Sequence, residues 1–446
     1  MKKYIVIFIL MISVTILRAQ DIEADTLSFS LEESMQYAME NNLNAENARL
    51  DVDAADQRVW ETAANGLPQV DASVNYNYNI NLATTLIPDF GGNPDEKIEI
   101  QFGTKHYATA GLVANQLIFS GEYIIGLQAA KIFKEFTQRN KERTEQQVRQ
   151  TVIENYYLVL LGENTLEALS GNRDAVRATY EETRKLYEAG FAEEIDADQL
   201  EVSLIDIDNE VLSLERQIMA SRNLLKYQMG VDREKAIILT DSLEVLVRSI
   251  DIDASLGAAF TIEENIDYQI LSEQERLAYM DVKLKRSEYL PSISAFYSLD
   301  YTAQRDEFSF FDANRDWYNA SMVGLAFNVP IFSSGFRKAG VSQKKIAYLQ
   351  AQNNKDFAAE GLRVEFMQSK YDFANALERF RSVRRNLEIS QKVVRVTKVK
   401  YDEGMVSSLE LTQVNNQYLQ VLGNYTSSMV ELLNAKIKID LLMNNI

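Results

Sequence analysis

The side chains that could take part in chemistry are mostly carboxylates. The 446 residues include 65 acidic and 46 basic side chains, which gives a net charge of −19 at pH 7. Four acids lie close together in the chain: Glu193, Glu194, Asp196 and Asp198. At the start of a helix such acids are stabilised by the helix dipole, and in a symmetric oligomer they would form a ring that attracts cations. Both interpretations stay open from these residues alone.

Other reactive residue types are scarce. The absence of cysteine excludes disulfides, thiolate metal sites, thiol nucleophiles and a lipid-anchor cysteine. His106 is the only histidine, so a histidine triad or a multi-histidine metal site cannot be built within one chain. Asp71 and Asp300 have no matching nucleophile and base. We therefore expect no enzyme, cofactor or metal, and the acidic balance disfavours nucleic acid and anionic lipid as partners.

The N-terminus has the composition of a secretory signal peptide. Lys2 and Lys3 precede an apolar run over Tyr4–Leu17, and the small residue Ala19 follows. The run is shorter than the roughly 20 residues that a membrane-spanning helix needs. We assign residues 1–20 to the signal peptide. Because no later stretch approaches that apolar length, we expect any membrane-embedded part to consist of strands.

The rest of the chain is a tandem duplication. Leu67-Pro68-Gln69-Val70 recurs as Leu290-Pro291-Ser292-Ile293, and Tyr187-Glu188-Ala189-Gly190 recurs as Tyr401-Asp402-Glu403-Gly404. The distance from Gly121 to Gly190 is 69 residues, and so is the distance from Gly335 to Gly404. The spacings predict a first repeat over 21–240, a connecting segment over 241–262 and a second repeat over 263–446.

Each repeat is predicted to run helix, strand, strand, long helix, turn, helix. The first helix is predicted over Leu31–Asn65, with Ser30 and Glu33 as a capping box. Strands are predicted near 70–81, 107–119, 292–303 and 320–332, and proline-free helical hairpins with tips near 190 and 404. The polar segments Ala83–Lys105 and Ala303–Trp317 are predicted to be outer loops, with His106 at a strand end.

The first strand alternates strictly between apolar and polar residues. Its polar positions are Asp71, Ser73, Asn75, Asn77, Asn79 and Asn81. Strands of this length with aromatic residues on the apolar face are typical of outer-membrane barrels. A soluble sandwich is the alternative, but it needs more strands than the sequence offers. The polar positions from Asp71 to Asn79 are therefore predicted to face a water-filled lumen.

Four strands cannot close a membrane barrel, because open strand edges are not tolerated in lipid. Two, three or four chains would supply 8, 12 or 16 strands, and three is the simplest number that leaves a pore. The fold class is therefore mostly α with membrane β. We expect a trimeric 12-strand outer-membrane barrel, continued by a long α-helical coiled coil. A trimeric coiled-coil adhesin, or a periplasmic scaffold without a pore, is the alternative.

The duplicated plan, the junction Leu117-Ile118-Phe119-Ser120-Gly121 and the two Tyr-x-x-Gly turns resemble the TolC family of outer-membrane efflux proteins. The resemblance implies a homotrimeric, non-catalytic duct in the outer membrane of a Gram-negative bacterium, extending into the periplasm. It also implies three further partners: a periplasmic adaptor, an inner-membrane transporter of RND or ABC type, and the outer-membrane lipid around the barrel.

The resemblance also implies which residues carry the function. Asp196 and Tyr401 match a hydrogen-bonded pair at the periplasmic gate, and Glu410 and Gln413 match the narrowest ring. Adaptor docking is implied for the residues at the two tips: Gly190, Phe191, Ala192, Gly404, Met405 and Val406. Val406 stands where a family member has arginine, which argues against a charge lock between the hairpins.

Overall fold

The computed structural model describes residues 26–88, 91 and 97–445, so the signal peptide predicted over 1–20 lies outside the described residues. The elements up to the first tip are β1 (Leu27–Phe29), α1 (Leu31–Asn41), α2 (Leu43–Ala64), β2 (Gln69–Tyr78), β3 (Thr84–Pro88), β4 (Lys97–Gln101), β5 (His106–Ser120) and α3 (Gly121–Glu188).

The elements after the first tip are α4 (Glu194–Met229), β6 (Ile237–Leu239), α5 (Leu243–Arg248), α6 (Ile252–Gly257), a 3-10 turn (Ile262–Glu264), α7 (Ile266–Ser287), β7 (Ser292–Arg305), β8 (Tyr318–Asn328), α8 (Phe336–Asp402) and α9 (Ser408–Leu442). The segment predicted only as a connection, 241–262, thus contains two short helices.

The chain divides into two compact units, and each is assembled from separate stretches. One unit contains the described residues up to Asn47, then Arg143–Thr261 and the residues from Leu362 onward. The other contains Ala48–Glu142 and Ile262–Gly361, which hold the long strands. Both α3 and α8 begin in the strand unit and end in the other, so the two repeats contribute to each unit in the same way.

The strand unit contains a four-stranded antiparallel sheet in the order β2-β5-β7-β8. Its register pairs Ser73 with Gly111 and Gly111 with Asp300, so the polar positions of β2 share one face with those of the second repeat. Val74, Ala110 and Tyr301 share the opposite face. Among the described residues, β2 and β8 each have a partner strand on one side only, so they are the edge strands of the sheet.

Several predicted boundaries are wrong in detail. β2 ends at Tyr78, and Asn79 follows it, with its backbone N–H 2.8 Å from the Lys105 carbonyl. β8 ends at Asn328 instead of near 332, because Pro330 has no N–H to donate to the ladder. Ser334 and Gly335, at φ 49° and 84°, then turn the chain into α8.

The predicted outer loop over Ala83–Lys105 contains the antiparallel pair β3–β4. Its segments Thr84–Pro88 and Lys97–Gln101 are too short for a secure strand prediction, and the polar residues between them resemble a loop. The other predicted outer loop, Ala303–Trp317, is shortened because β7 extends to Arg305 and β8 begins at Tyr318.

The predicted first helix is interrupted at Asn42. Its predicted capping box is confirmed, since Ser30 and Glu33 each accept a hydrogen bond from the other's backbone N–H. Asn42 is buried and extended at ψ 126°. Its Oδ1 accepts from the N–H groups of Asn44 and Ala45, and its Nδ2 lies 2.7 Å from the Gln228 carbonyl. These bonds end α1, begin α2 and fix both to α4.

The core of the unit that contains the helical hairpins lies around the parallel pair β1–β6. Tyr156 on α3 is fully buried there, and its hydroxyl lies 2.9 Å from a carboxylate oxygen of Asp241. The same carboxylate accepts a hydrogen bond from the Leu31 N–H at 2.7 Å. This N–H lies in the first turn of α1, where backbone donors have no partner within the helix. Burial, followed by the bond to Asp241, raises the pKa of Tyr156.

A hydrogen-bonded ion pair joins α7 and α8 in the strand unit. Glu275 pairs with Lys355 through Oε2, and its Oε1 accepts from Gln352 at 3.0 Å and Tyr348 at 3.3 Å. The bond to Lys355 is the main reason why the pKa of Glu275 is lowered and why that of Lys355 is raised. The side chains are 16% and 21% exposed, so solvent screens the pair only partly.

We expect Asn42→Ala to lower the free energy of unfolding by about 2 kcal/mol, because it removes a cap and a bond to Gln228. Thermal unfolding followed by circular dichroism measures the change. Asn44→Ala, an exposed neighbour, is the matched control and should change stability by less than about 0.5 kcal/mol. Equal effects of the two substitutions would contradict the role assigned to Asn42.

The lowered pKa of Glu275 predicts a pH dependence of stability. A carboxylate whose pKa falls on folding stabilises the protein above its unfolded pKa, near 4.5 here, and loses that contribution as the pH falls through its folded pKa. We expect Glu275→Gln to destabilise the protein at pH 7 and to reduce the loss of stability on acidification below about pH 4.5. Melting curves from pH 7 to pH 3, with exposed Glu264→Gln as control, test this. Parallel curves for wild type and Glu275→Gln would refute it.

Candidate functional site

The first candidate site is the polar face of the sheet. The register places the predicted lumen residues of β2 beside polar residues of β5 and β7. Across the sheet the rows are Asp71–Val113–Ser298, Ser73–Gly111–Asp300, Asn75–Thr109–Thr302 and Asn77–Tyr107–Gln304. One continuous surface therefore presents hydroxyls, amides and two carboxylates. Asn79 lies beyond the end of β2, and its Nδ2 donates to the Thr104 carbonyl.

Gly111 makes room for the central carboxylate of that face. A Cβ atom at Gly111 would lie 2.4 Å from Asp300 Oδ1 and 3.7 Å from Ser73 Oγ. The Asp300 side chain therefore lies over the glycine and points across β5 toward β2. Sequence reasoning noted Asp300 only as an isolated acid, and its place beside Ser73 depends on strand pairing across 227 positions of chain.

The second candidate site is the pair of hairpin tips, which are built alike. Gly190 and Gly404 have φ of 81° and 70°, the left-handed conformation that ends a helix. The next N–H, of Phe191 or Met405, donates to the carbonyl of Leu186 or Lys400 at 2.8 Å in each case. These are the hydrogen bonds of a Schellman motif. A side chain in place of either glycine would be strained by this backbone conformation.

Both tips expose apolar side chains. Phe191 is 83% exposed and Met405 is 71% exposed. The following residues, Ala192 and Val406, are half-buried. Exposed apolar residues at the end of a long hairpin are available for contact with another protein.

Two hydroxyl contacts join the two hairpins close to their tips. The Tyr401 hydroxyl lies 2.6 Å from Thr183 Oγ1. Because Thr183 donates its own hydrogen to the Thr179 carbonyl, Tyr401 is the donor of this bond. Ser408 Oγ donates to Asp196 Oδ1, also at 2.6 Å.

Within the chain, Tyr401 therefore bonds to Thr183 and Asp196 bonds to Ser408. The resemblance implied instead a hydrogen bond between Asp196 and Tyr401. Thr183 and Ser408 are both buried, at 2% and 1% exposure, and the sequence analysis did not identify them. The available signal was the repeat itself, in which Thr183 on α3 is equivalent to Thr397 on α8, just as Tyr187 is equivalent to Tyr401.

The remaining predicted gate residues lie on the first turns of α9. Ser407 is its N-cap and accepts a bond from the Glu410 N–H. Glu410 and Gln413 are both exposed, one turn apart. At the other tip, Glu193 is the N-cap of α4, and Glu194 and Asp196 lie in its first turn. The predicted helix start within the acidic cluster is confirmed.

Among residues 26–88, 91 and 97–445, no group of three or more histidine, cysteine, aspartate or glutamate side chains could hold a metal ion. None of the helices in the same residues is both long and apolar enough to cross a membrane.

Comparison with known proteins gives consistent matches. The sequence model of the family described as outer membrane efflux protein matches residues 35–231 and 265–445. Outer membrane protein TolC of Vibrio cholerae is 19% identical over 329 residues, covering 74% of this chain and 71% of that protein.

The fold also matches solved structures. The Campylobacter jejuni CmeC outer membrane channel has a TM-score of 0.74 at 16% identity, covering 93% of this chain and 85% of that chain. VceC of Vibrio cholerae has a TM-score of 0.70 at 13% identity, covering 93% of this chain and 95% of that chain.

Proposed function

The chain belongs to the outer membrane efflux protein family, and we propose that three copies of it form one passive duct. The strands of the three copies close a 12-stranded barrel in the outer membrane, and the long helices continue the duct into the periplasm. Cargo leaves the cell through this duct without a catalytic step.

The observation that carries the proposal is the open, two-faced sheet β2-β5-β7-β8. One of its faces is polar across β2, β5 and β7 and the other is mainly apolar, and the outer edges of β2 and β8 have no partner strand in the described part of the chain. Lipid does not tolerate such edges, so β8 of one copy pairs with β2 of the next. Closure of three sheets in this way encloses the polar face around water and turns the apolar face to lipid.

The tips are the proposed contact with the rest of an efflux system. The exposed apolar side chains of Phe191 and Met405 support docking of a periplasmic adaptor at Gly190–Ala192 and Gly404–Val406. The adaptor connects the duct to an inner-membrane transporter of RND or ABC type, which selects the cargo. Glu410 and Gln413, exposed at the start of α9, are the residues that we place in the constriction.

The alternative of an adhesin or scaffold without a pore is disfavoured. A scaffold has no need for twelve residues of strict alternation or for a polar face that continues across β2, β5 and β7. Protease treatment of membrane fractions distinguishes the two. A duct protects β2, β5, β7 and β8, whereas a scaffold releases them as soluble fragments.

The purified protein in planar bilayers should give ion-conducting channels that prefer cations. Asp71→Asn combined with Asp300→Asn should lower the cation-to-anion permeability ratio, because both carboxylates lie on the proposed lumen face. Glu244→Gln with Asp253→Asn removes the same charge away from the strands and should leave the ratio unchanged. If neither wild type nor a variant with opened tips (Asp196→Ala with Tyr401→Phe) conducts, the duct proposal fails.

We further propose that the contacts Thr183–Tyr401 and Ser408–Asp196 hold the tips closed. Each hydrogen bond contributes about 1 kcal/mol, so three symmetric copies of one bond favour the closed state by about 3 kcal/mol. That energy corresponds to a factor of roughly 100 in the ratio of open to closed channels. Because Val406 occupies the position of the arginine, these hydroxyl hydrogen bonds replace an ion pair as the contact that joins the two hairpins.

Tyr401→Phe should therefore raise the basal conductance, since it removes the donor to Thr183 and leaves the ring in place. Ser408→Ala should have the same direction of effect. Single-channel recording gives the open fraction. Tyr418→Phe on α9 is the matched control, because no hydrogen bond of that hydroxyl is recorded in the described residues. If both tip variants conduct like wild type, these contacts do not hold the gate closed. The proposal of a barrel would not be affected by that result.

A further inference from the structure

Basic side chains are concentrated where the second repeat joins its strands. The end of α7 with the residues up to Pro291, together with the start of α8, covers 281–291 and 336–346. These segments contain seven basic and two acidic side chains. The equivalent segments of the first repeat, 58–68 and 122–132, contain two of each. We call the lysines and arginines of 283–286 and 337–345 the basic collar.

Much of the positive charge of the basic collar is not neutralised by the protein. Lys344 pairs with Asp281 and Lys285 pairs with Glu288, each at 2.6 Å. Arg286, Lys338 and Lys345 are exposed, and no ion pair of theirs is recorded in the part of the chain that the structure describes. In a chain with a net charge of −19, these exposed basic side chains form a local positive group that is available to an external anionic partner.

Exposed aromatic rings lie beside the basic collar. The guanidinium of Arg337 lies 5.8 Å from the ring centroid of Tyr289, and the ammonium of Lys285 lies 5.3 Å from that of Phe336. These rings are 49% and 71% exposed. Aromatic rings with lysine and arginine at the ends of membrane-crossing elements are typical of the boundary between hydrocarbon and water.

The position of the basic collar along the chain agrees with such a boundary. Arg286 is six residues before the start of β7, and Arg337 is nine residues after the end of β8. At a rise of 1.5 Å per helical residue, the start of α8 from Phe336 to Lys345 spans about 14 Å. This exceeds the screening length of about 8–10 Å in physiological salt, so a charged membrane surface at the strand ends acts more strongly on Arg286 and Lys338 than on Lys345.

We propose that the basic collar binds the phosphate groups of anionic phospholipids in the periplasmic leaflet of the outer membrane. The proposal rests on insertion of the strands as a barrel, but not on passage of cargo. Arg286, Lys338 and Lys345 supply the unpaired charges, and Tyr289 and Phe336 lie at the level of the headgroups. The net negative charge predicts no affinity for anionic lipid. That charge is a sum over the whole chain, however, and it does not reveal this local group of basic residues.

Electron spin resonance on the reconstituted full-length protein tests the proposal. Spin-labelled phosphatidylglycerol and spin-labelled phosphatidylcholine are each added to phosphatidylcholine bilayers, and the fraction of label immobilised by the protein is measured. Wild type should prefer phosphatidylglycerol, and high salt should reduce the preference. Because each basic residue near an anionic surface strengthens binding roughly fivefold, Arg286→Gln/Lys338→Gln/Lys345→Gln should bring the preference close to one.

The matched control is Arg385→Gln/Lys392→Gln/Arg395→Gln, which removes three exposed charges from α8, about 50 residues beyond Lys338 and Lys345 on the same helix. It should retain the wild-type preference. Absence of a preference in wild type, or its persistence in the collar variant, would overturn the proposal. So would a collar variant with altered ion selectivity and unaltered lipid preference, because the charges would then face the duct. Lipid preference in a protein that never conducts would refute the duct and leave the lipid site standing.

Discussion

The unpaired edges of the four-stranded sheet are the constraint on which the rest of the structure depends. The outer edges of β2 and β8 present backbone N–H and C=O groups that have no partner strand among the described residues. In hydrocarbon each such group costs several kcal/mol, so an isolated chain cannot occupy a membrane in this form. The sheet therefore requires further copies, and their closure decides which face meets lipid and which meets water. The alternation of apolar and polar residues in β2 places them toward lipid and toward water only when the ring is closed. The same holds for Asp300, which lies over Gly111 on the polar face.

Much of the fold follows from the sequence because its signals are local. The alternation predicts β2, the Ser30–Glu33 pair predicts the first helix start, and paired glycines predict the tips. The features that the sequence does not predict depend on residues that are distant along the chain. The helix break at Asn42 uses the carbonyl of Gln228, 186 positions away, and β1 is a strand only because it pairs with β6. Neither interaction has a periodicity that a window of sequence would reveal.

The sequence predicts where the hairpin turns of the candidate site lie, but it does not predict which side chains bond to each other beside them. Gly190 and Gly404 locate the tips, yet the spacing along one helix does not say which residues of the facing helix it meets. Thr183 and Ser408 are ordinary helix residues in sequence, and burial between two hairpins is what makes their hydroxyls important. A buried hydroxyl that loses its partner costs about 1–3 kcal/mol, which makes such pairs effective in holding one arrangement of the helices. The Thr183–Tyr401 contact imposes no charge that must be desolvated, in contrast to an arginine lock.

The two repeats share a plan but have diverged where strand meets helix. In the first repeat β5 ends at Ser120 and α3 begins at Gly121, so the chain passes from sheet to helix without a loop. In the second repeat, residues 329–335 separate β8 from α8, and the basic residues gather beside that loop. At the first junction the strand is therefore continuous with the helix, whereas at the second the seven intervening residues include two left-handed conformations, at Ser334 and Gly335. In a three-fold ring the two kinds of junction alternate, so the proposed lipid contacts of the basic collar would lie beside every second junction, the one at which a loop separates strand from helix.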